Sequence, residues 1–204
     1  QIKTNIVKKL DSWVSDIVSN KSGTPNVVLL VGGPGNGKTD AVEGCIDAFD
    51  KKLKSTKLRE KFSKEYDVST SQLCPRKVSI RETISNEYEW IDLVQDATEG
   101  DPHKSKSAEM ALVNDLKLAL DKKSKRILLC CVNRGILASA RDEAISEGED
   151  DVKELIEKMT NAVACNSENE QCWPLEKHEH IAVWPMDIES LVAMQDDGKS
   201  YAHE

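Results

Sequence analysis

The sequence has no run of about 18 apolar residues, so no segment reads as a helical membrane span. Its start, Gln1-Ile2-Lys3-Thr4, opens neither a charged region followed by a long apolar stretch nor an arginine-rich transit pattern, so no targeting signal is read there. The absent initiator Met fits a trimmed or excised fragment. Cysteine is modest at six in 204 residues, whereas a disulfide framework belongs to shorter secreted chains. Cys130 and Cys131 are adjacent in an apolar run, where strand alternation sends them to opposite faces as small core residues. The compartment expected from this is reducing and cytoplasmic. A net charge of -8 argues against a surface that binds nucleic acid by phosphate neutralisation alone. No internal repeat divides the chain, and its length suits one sizeable α/β core.

What is present is more specific. Directly after the apolar run Val27-Val28-Leu29-Leu30-Val31 comes Gly32-Gly33-Pro34-Gly35-Asn36-Gly37-Lys38-Thr39, a match to G-x-x-x-x-G-K-[ST]. Glycines let the backbone curl around an anion with several N–H groups pointing inward. The lysine reaches the β- and γ-phosphates, and the hydroxyl holds magnesium. Such a match arises by chance in about one chain in a hundred of this length. Val42, Cys45, Ile46, Phe49 and Leu53 then recur at helical spacing, so a helix N-terminus is aimed at the bound phosphate. The segment reads as a phosphate-binding P-loop, with ATP and Mg2+ as its expected ligands.

Before the loop, Ile2, Ile6, Val7, Leu10, Trp13, Val14, Ile17 and Val18 form the apolar stripe of a docking helix, which Ser22-Gly23-Thr24-Pro25 ends. Further strands are expected at Arg76-Lys77-Val78-Ser79-Ile80-Arg81, over 88–94, at Ile127-Leu128-Leu129-Cys130-Cys131-Val132 and at His180-Ile181-Ala182-Val183-Trp184. Ser107 is the expected N-cap of a helix carrying Met110, Leu112, Val113, Leu116 and Leu120. A helix from about Ile136 and another carrying Val152, Leu155, Ile156, Met159 and Val163 follow. Strands alternating with helices imply an α/β fold: a parallel sheet of about five strands with helices on both faces, as in P-loop NTPases. The expected organisation is an N-terminal helix over 1–25 packed on a core over 26–186, with 187–204 beginning a lid or linker and the lid largely absent.

Hydrolysis needs an acid that holds magnesium and a group that orients water, both normally at the ends of neighbouring strands. The 127–132 strand ends in Asn133, which is no carboxylate; the strand before it ends with Asp96, and Glu99 and Asp101 follow closely. This order resembles the AAA+ ATPases. The resemblance implies Asp96 as the magnesium-holding aspartate, Asn133 as the residue facing the γ-phosphate, and oligomeric assembly with Arg134 or Arg141 as a finger acting in trans. Ala97 and Thr98 stand where that family has an adjacent catalytic glutamate, so Glu99 takes the catalytic place by proximity and hydrolysis and sensing both remain open. The stretches at 95–101, 133–138 and 184–191 together resemble ATPase subunits of bacterial anti-phage defence systems of the phosphorothioation-dependent restriction type. That likeness implies the core of a larger multidomain protein, acting with partner defence subunits on nucleic acid through other domains.

Other readings bound this one. A GTPase should carry an Asn-Lys-x-Asp motif after the loop, and the sequence has none; ATP follows by exclusion. A nucleotide-sensing scaffold without hydrolysis and a small-molecule kinase share the same loop and stay as alternatives. The basic stretch over 51–64, with Lys51, Lys52, Lys54, Lys57, Arg59, Lys61 and Lys64, reads as a solvated helix end or a nucleic-acid contact. Cys165, Cys172, His178 and His180 supply two thiols and two imidazoles within sixteen positions, a set able to hold zinc, though at no common zinc-motif spacing.

Overall fold

The computed structural model describes residues 5–35, 37–65, 75–98, 107–121, 125–164 and 172–186. In chain order the elements are α1 (Asn5–Val18), β1 (Val27–Val31), α2 (Lys38–Leu53), α3 (Lys57–Glu65), β2 (Lys77–Arg81), β3 (Trp90–Val94), α4 (Ala108–Leu120), β4 (Arg126–Val132), α5 (Arg134–Ser146), α6 (Asp150–Ala164) and β5 (Ile181–Pro185). The strands form one sheet in the order β2-β3-β4-β1-β5.

Alternation along the strands sorts the core into two layers. Val28 and Leu30 of β1, with Leu129 and Cys131 of β4, meet α1, α2 and α3; Val27, Leu29, Val31 and Cys130 meet α4, α5 and α6. Cys130 and Cys131 do take opposite faces, and all five residues of β1 are buried, as a central strand covered on both sides requires. The stripe of α1 buries Ile6, Leu10, Trp13, Val14 and Ile17. Trp13 meets Phe49 of α2 edge to face, with ring centroids 5.8 Å apart.

The sheet is mixed, which corrects the expectation of a parallel one. β4 pairs in parallel with β1 and β3, and β5 with β1, but β2 runs antiparallel to β3. The reason is the length of the connection between them. Eight residues, 82–89, cannot carry the dozen or more that a parallel crossover needs, so the chain turns back with Glu82 N–H donating to Glu89 O and Ile84 N–H to Tyr88 O.

The basic 51–64 stretch also differs from a frayed helix end, because it contains a separate helix. Lys54 takes a left-handed backbone conformation and ends α2. The buried Asp50 carboxylate then reaches forward to accept from Leu58 N (3.1 Å) and Arg59 N (2.9 Å), satisfying the first turn of α3. Arg59 pairs with Glu43 and Asp47, and Lys57 and Lys61 with Glu82, so three of the seven cations are neutralised internally. That leaves much less of a nucleic-acid face than the sequence displays.

Candidate functional site

The carboxyl ends of β1, β3 and β4 lie along one edge of the sheet, and the tip of β4 holds the other two in place. Val132 O accepts from Gly32 N at 3.1 Å on one side, and Cys131 O accepts from Ala97 N at 2.9 Å on the other. The start of the glycine-rich loop and the Asp96-Ala97 step are therefore anchored to consecutive carbonyls of a buried strand. Loop, Asp96 and Asn133 converge on this edge, where ligands of open α/β sheets bind.

Within the loop, Gly35 and Gly37 have φ of 79° and 71°, a region costly for any residue with a Cβ. Gly37 caps α2 with no side-chain bond of its own. The first N–H groups of α2 consequently have no side-chain cap from Gly37. The Lys38 ammonium folds back over the loop, donating to Gly32 O at 2.9 Å and also to Gly33 O. Thr39, next in the helix, is exposed. A cation whose partners among the described residues are two carbonyls, at a helix N-terminus and beside backbone curled by two left-handed glycines, is an arrangement able to take up an anion.

The Cys131 thiol lies beneath. It donates to Lys38 O at 3.7 Å, and burial pushes its pKa up to about 12, with Lys38 opposing the rise and Asp96 adding to it. The thiol thus feels both the loop lysine and the β3 carboxylate. Asp96 itself is exposed and turns Oδ1 back to accept from Thr98 N at 2.8 Å, which leaves Oδ2 for a metal or its water. Glu99 lies outside the described residues, as do Asn36 and Asp101.

Asn133 has a role that the sequence reading did not assign. It is the N-cap of α5, its Oδ1 accepting from Ile136 N at 2.7 Å, so the helix starts at Arg134 rather than near Ile136. Capping uses Oδ1, and among the described residues Nδ2 donates to no partner. The local signal was present: Asn directly before a helix is a preferred cap. Arg134 is exposed in the first turn of that helix. Arg141 lies two turns further on and pairs with Glu157 of α6 at 2.8 Å.

Of the zinc set, Cys165 lies outside the described residues. Cys172 Sγ donates to Ala162 O at 3.4 Å, while His178 Nε2 stands 3.3 Å from the Lys158 ammonium, a poor neighbour for a metal cation. The rings of His178 and His180 are 6.2 Å apart, and among the described residues no three His, Cys, Asp or Glu side chains group to hold a metal. No helix among the described residues is long and apolar enough to cross a membrane.

A second polar cluster was not anticipated. The carboxylate of Asp115 on α4, itself buried, is shared by Arg76 (2.5 Å) and Lys77 (2.8 Å), and Asp92 takes a two-pronged contact from Arg126 at 2.8 Å on both oxygens. These pairs fix the reversed strand β2 to α4 and β3 to β4. No sequence signal joins residues 39 and 34 positions apart.

No family model matches this chain, and no curated protein or solved structure matches it. The site is read from its residues and geometry.

Proposed function

We propose that the chain binds ATP with Mg2+ at the 32–39 loop and hydrolyses it, as an AAA+-like P-loop ATPase core. The observation that carries this reading is the placement of Lys38, ligated by the Gly32 and Gly33 carbonyls at the N-terminus of α2. On binding, the triphosphate takes over the ammonium from those carbonyls, and the loop N–H groups and Lys38 hold its charge. Thr39 Oγ1 and the Asp96 carboxylate are the groups to hold the metal, which supplies charge neutralisation of the phosphates. Asn133, whose Oδ1 is held by its cap bond, is assigned to meet the γ-phosphate with Nδ2.

The competing reading, binding without hydrolysis, draws support from Asp96, whose carboxylate is half committed to Thr98 N. The wider proposal, that this is the ATPase core of a bacterial defence protein working with partner subunits on nucleic acid, rests on sequence likeness at 95–101, 133–138 and 184–191.

Equilibrium binding of a fluorescent ATP analogue with Mg2+, followed by phosphate release, tests both readings. Lys38→Ala is expected to weaken binding by about tenfold to a hundredfold, the worth of a charge-assisted contact. Asp96→Asn should keep binding and lose turnover. Binding that Lys38→Ala leaves intact removes the proposal; binding with no turnover in any oligomeric state selects the sensing module.

A further inference from the structure

The two outer edges of the sheet are finished differently. Beside β5 the 172–175 segment supplies partners: Val183 N–H donates to Cys172 O and Leu175 N–H to Ile181 O, both at 2.7 Å. β2 has no such cover among the described residues. Glu82 N–H donates to Glu89 O across the hairpin, so by alternation residues 78, 80 and 82 direct their backbone groups at β3. Lys77, Ser79 and Arg81 direct theirs outward, and among the described residues only Arg81 O is met, by the Lys61 ammonium at 2.9 Å. The side chains of Val78 and Ile80 are buried with α1, α2 and α3 and anchor the strand, while Ser79 and Arg81 are exposed. The edge is thus a preformed row of donors and acceptors at ladder spacing.

Charge along this edge narrows what can pair with it. Glu82 is shared by Lys57 (3.4 Å) and Lys61 (3.7 Å), Glu89 by Arg81 (3.9 Å) and Lys125 (3.1 Å), and Asp115 by Arg76 and Lys77. Asp92, by contrast, is matched one to one by Arg126. Six cations on three carboxylates give these pairs a positive excess, in a chain whose net charge is -8. A second copy of the chain is a poor occupant, because antiparallel β2–β2 pairing centred on Ser79 sets Lys77 of each copy opposite Arg81 of the other. Nucleic acid offers acceptors to the cations but no alternating donors to the backbone. An extended peptide with carboxylates on alternate residues satisfies both. We propose that the outer edge of β2 is a docking site for an acidic extended segment of a partner protein, added as a sixth, antiparallel strand. The edge lies three places along the sheet from β1, and the proposal stands independently of the ATPase reading.

The probe is a fluorescein-labelled Glu-Val-Thr-Val-Glu peptide followed by anisotropy, with the amide resonances of residues 77, 79 and 81 reporting where it sits. Saturable binding is expected, with the Ser79 amide protected from hydrogen exchange. N-methylation of the Thr, whose N–H faces β2, should abolish binding; N-methylation of a Val, whose N–H faces away, should not. Arg81→Glu should weaken the peptide about tenfold, and Lys-Val-Thr-Val-Glu, whose Lys meets residue 81 in an antiparallel strand, should recover the loss. Ser79→Pro removes the central outward N–H without touching the ladder to β3 and should abolish binding; if that variant fails to fold, Arg81→Glu decides. Lys38→Ala must bind the peptide like the parent protein. Absence of saturation, unchanged binding of the N-methyl-Thr peptide, or equal affinity in Arg81→Glu and the parent would each overturn the proposal. So would a thymidine oligonucleotide of equal charge that binds the same amides as tightly, which marks a phosphate surface, or self-association of the parent that Ser79→Pro abolishes, which marks a second copy.

Discussion

Replacing Asn133 in three ways separates its structural role from the role proposed for it at the nucleotide. The side chain accepts from Ile136 N at 2.7 Å, and a Cβ at Gly135 would come within 3.3 Å of the same oxygen, so the cap is both made and closely packed. Asn133→Ala removes the acceptor and should cost about 1 kcal/mol. For a domain of this size that corresponds to roughly 2–4 °C in melting temperature. Asn133→Asp keeps an equally good cap and adds a charge favourable to the N-terminus of α5, so its melting temperature should equal or exceed that of the parent. Asn133→Ser likewise caps. At the nucleotide the ranking changes. Asp replaces the Nδ2 donor with a negative charge on the edge shared with Lys38 and Asp96, so phosphate release should fall most in Asn133→Asp, the most stable of the three. Differential scanning calorimetry and steady-state phosphate release on the same preparations give both rankings. If activity simply follows melting temperature across the series, Asn133 is a cap and nothing more, and the assignment of Nδ2 to the γ-phosphate fails.

Asp50→Ala should be costly, about 2–4 kcal/mol in urea unfolding, because it strands the Leu58 and Arg59 amides at the start of α3; Asp50→Asn should recover part of this, and a loss near zero would refute the capping account. Burial pushes the thiols of Cys45, Cys130 and Cys131 upward, so in the folded protein they hold protons that the unfolded chain releases above its ordinary thiol value near 9. The sign follows directly: the native state binds more protons there, and each thiol lowers stability by up to about 1.4 kcal/mol per pH unit as pH rises beyond that value. For Cys131 the decline ends near pH 12. Unfolding free energies of Cys131→Ala and the parent between pH 8 and about 10.5 should therefore converge as pH rises. Parallel curves would contradict the burial.

The elements that were legible in the sequence share one property: their signal is local and periodic. Five strands, the α1 stripe, the Ser107 cap (accepting from Met110 N at 3.2 Å) and the glycine-rich loop all lie within windows of a few turns. The direction of β2 was legible only through the shortness of the 82–89 connection, a clue about what cannot fit rather than about what forms. α3 was hidden because its N-terminal amides are satisfied by Asp50, a residue of the preceding helix, and lysine-rich composition masks its apolar pair Leu58 and Phe62. The Asp115 cluster and the Lys9–Trp173 contact join residues 38 to 164 positions apart, where charge and ring identity are visible but adjacency is not. For the site, residue types were readable, whereas the bonds that orient Lys38, Asp96 and Asn133 needed coordinates.

The reversal of β2 exchanges the ends of one strand while leaving the other four in place. In a fully parallel sheet the chain leaving each strand emerges at the ligand edge, and the chain entering emerges at the far edge. Here the chain entering β2, at Arg76 and Lys77, arrives beside Val94 on the ligand side, and the chain leaving it turns at 82–89 on the remote side. Length changes at 82–89 are thus remote from the glycine-rich loop, while the approach to Lys77 is one of the boundaries of that edge. The strand that looks least like the rest of the sheet sets which of its two connecting segments borders the glycine-rich loop's edge and which lies away from it.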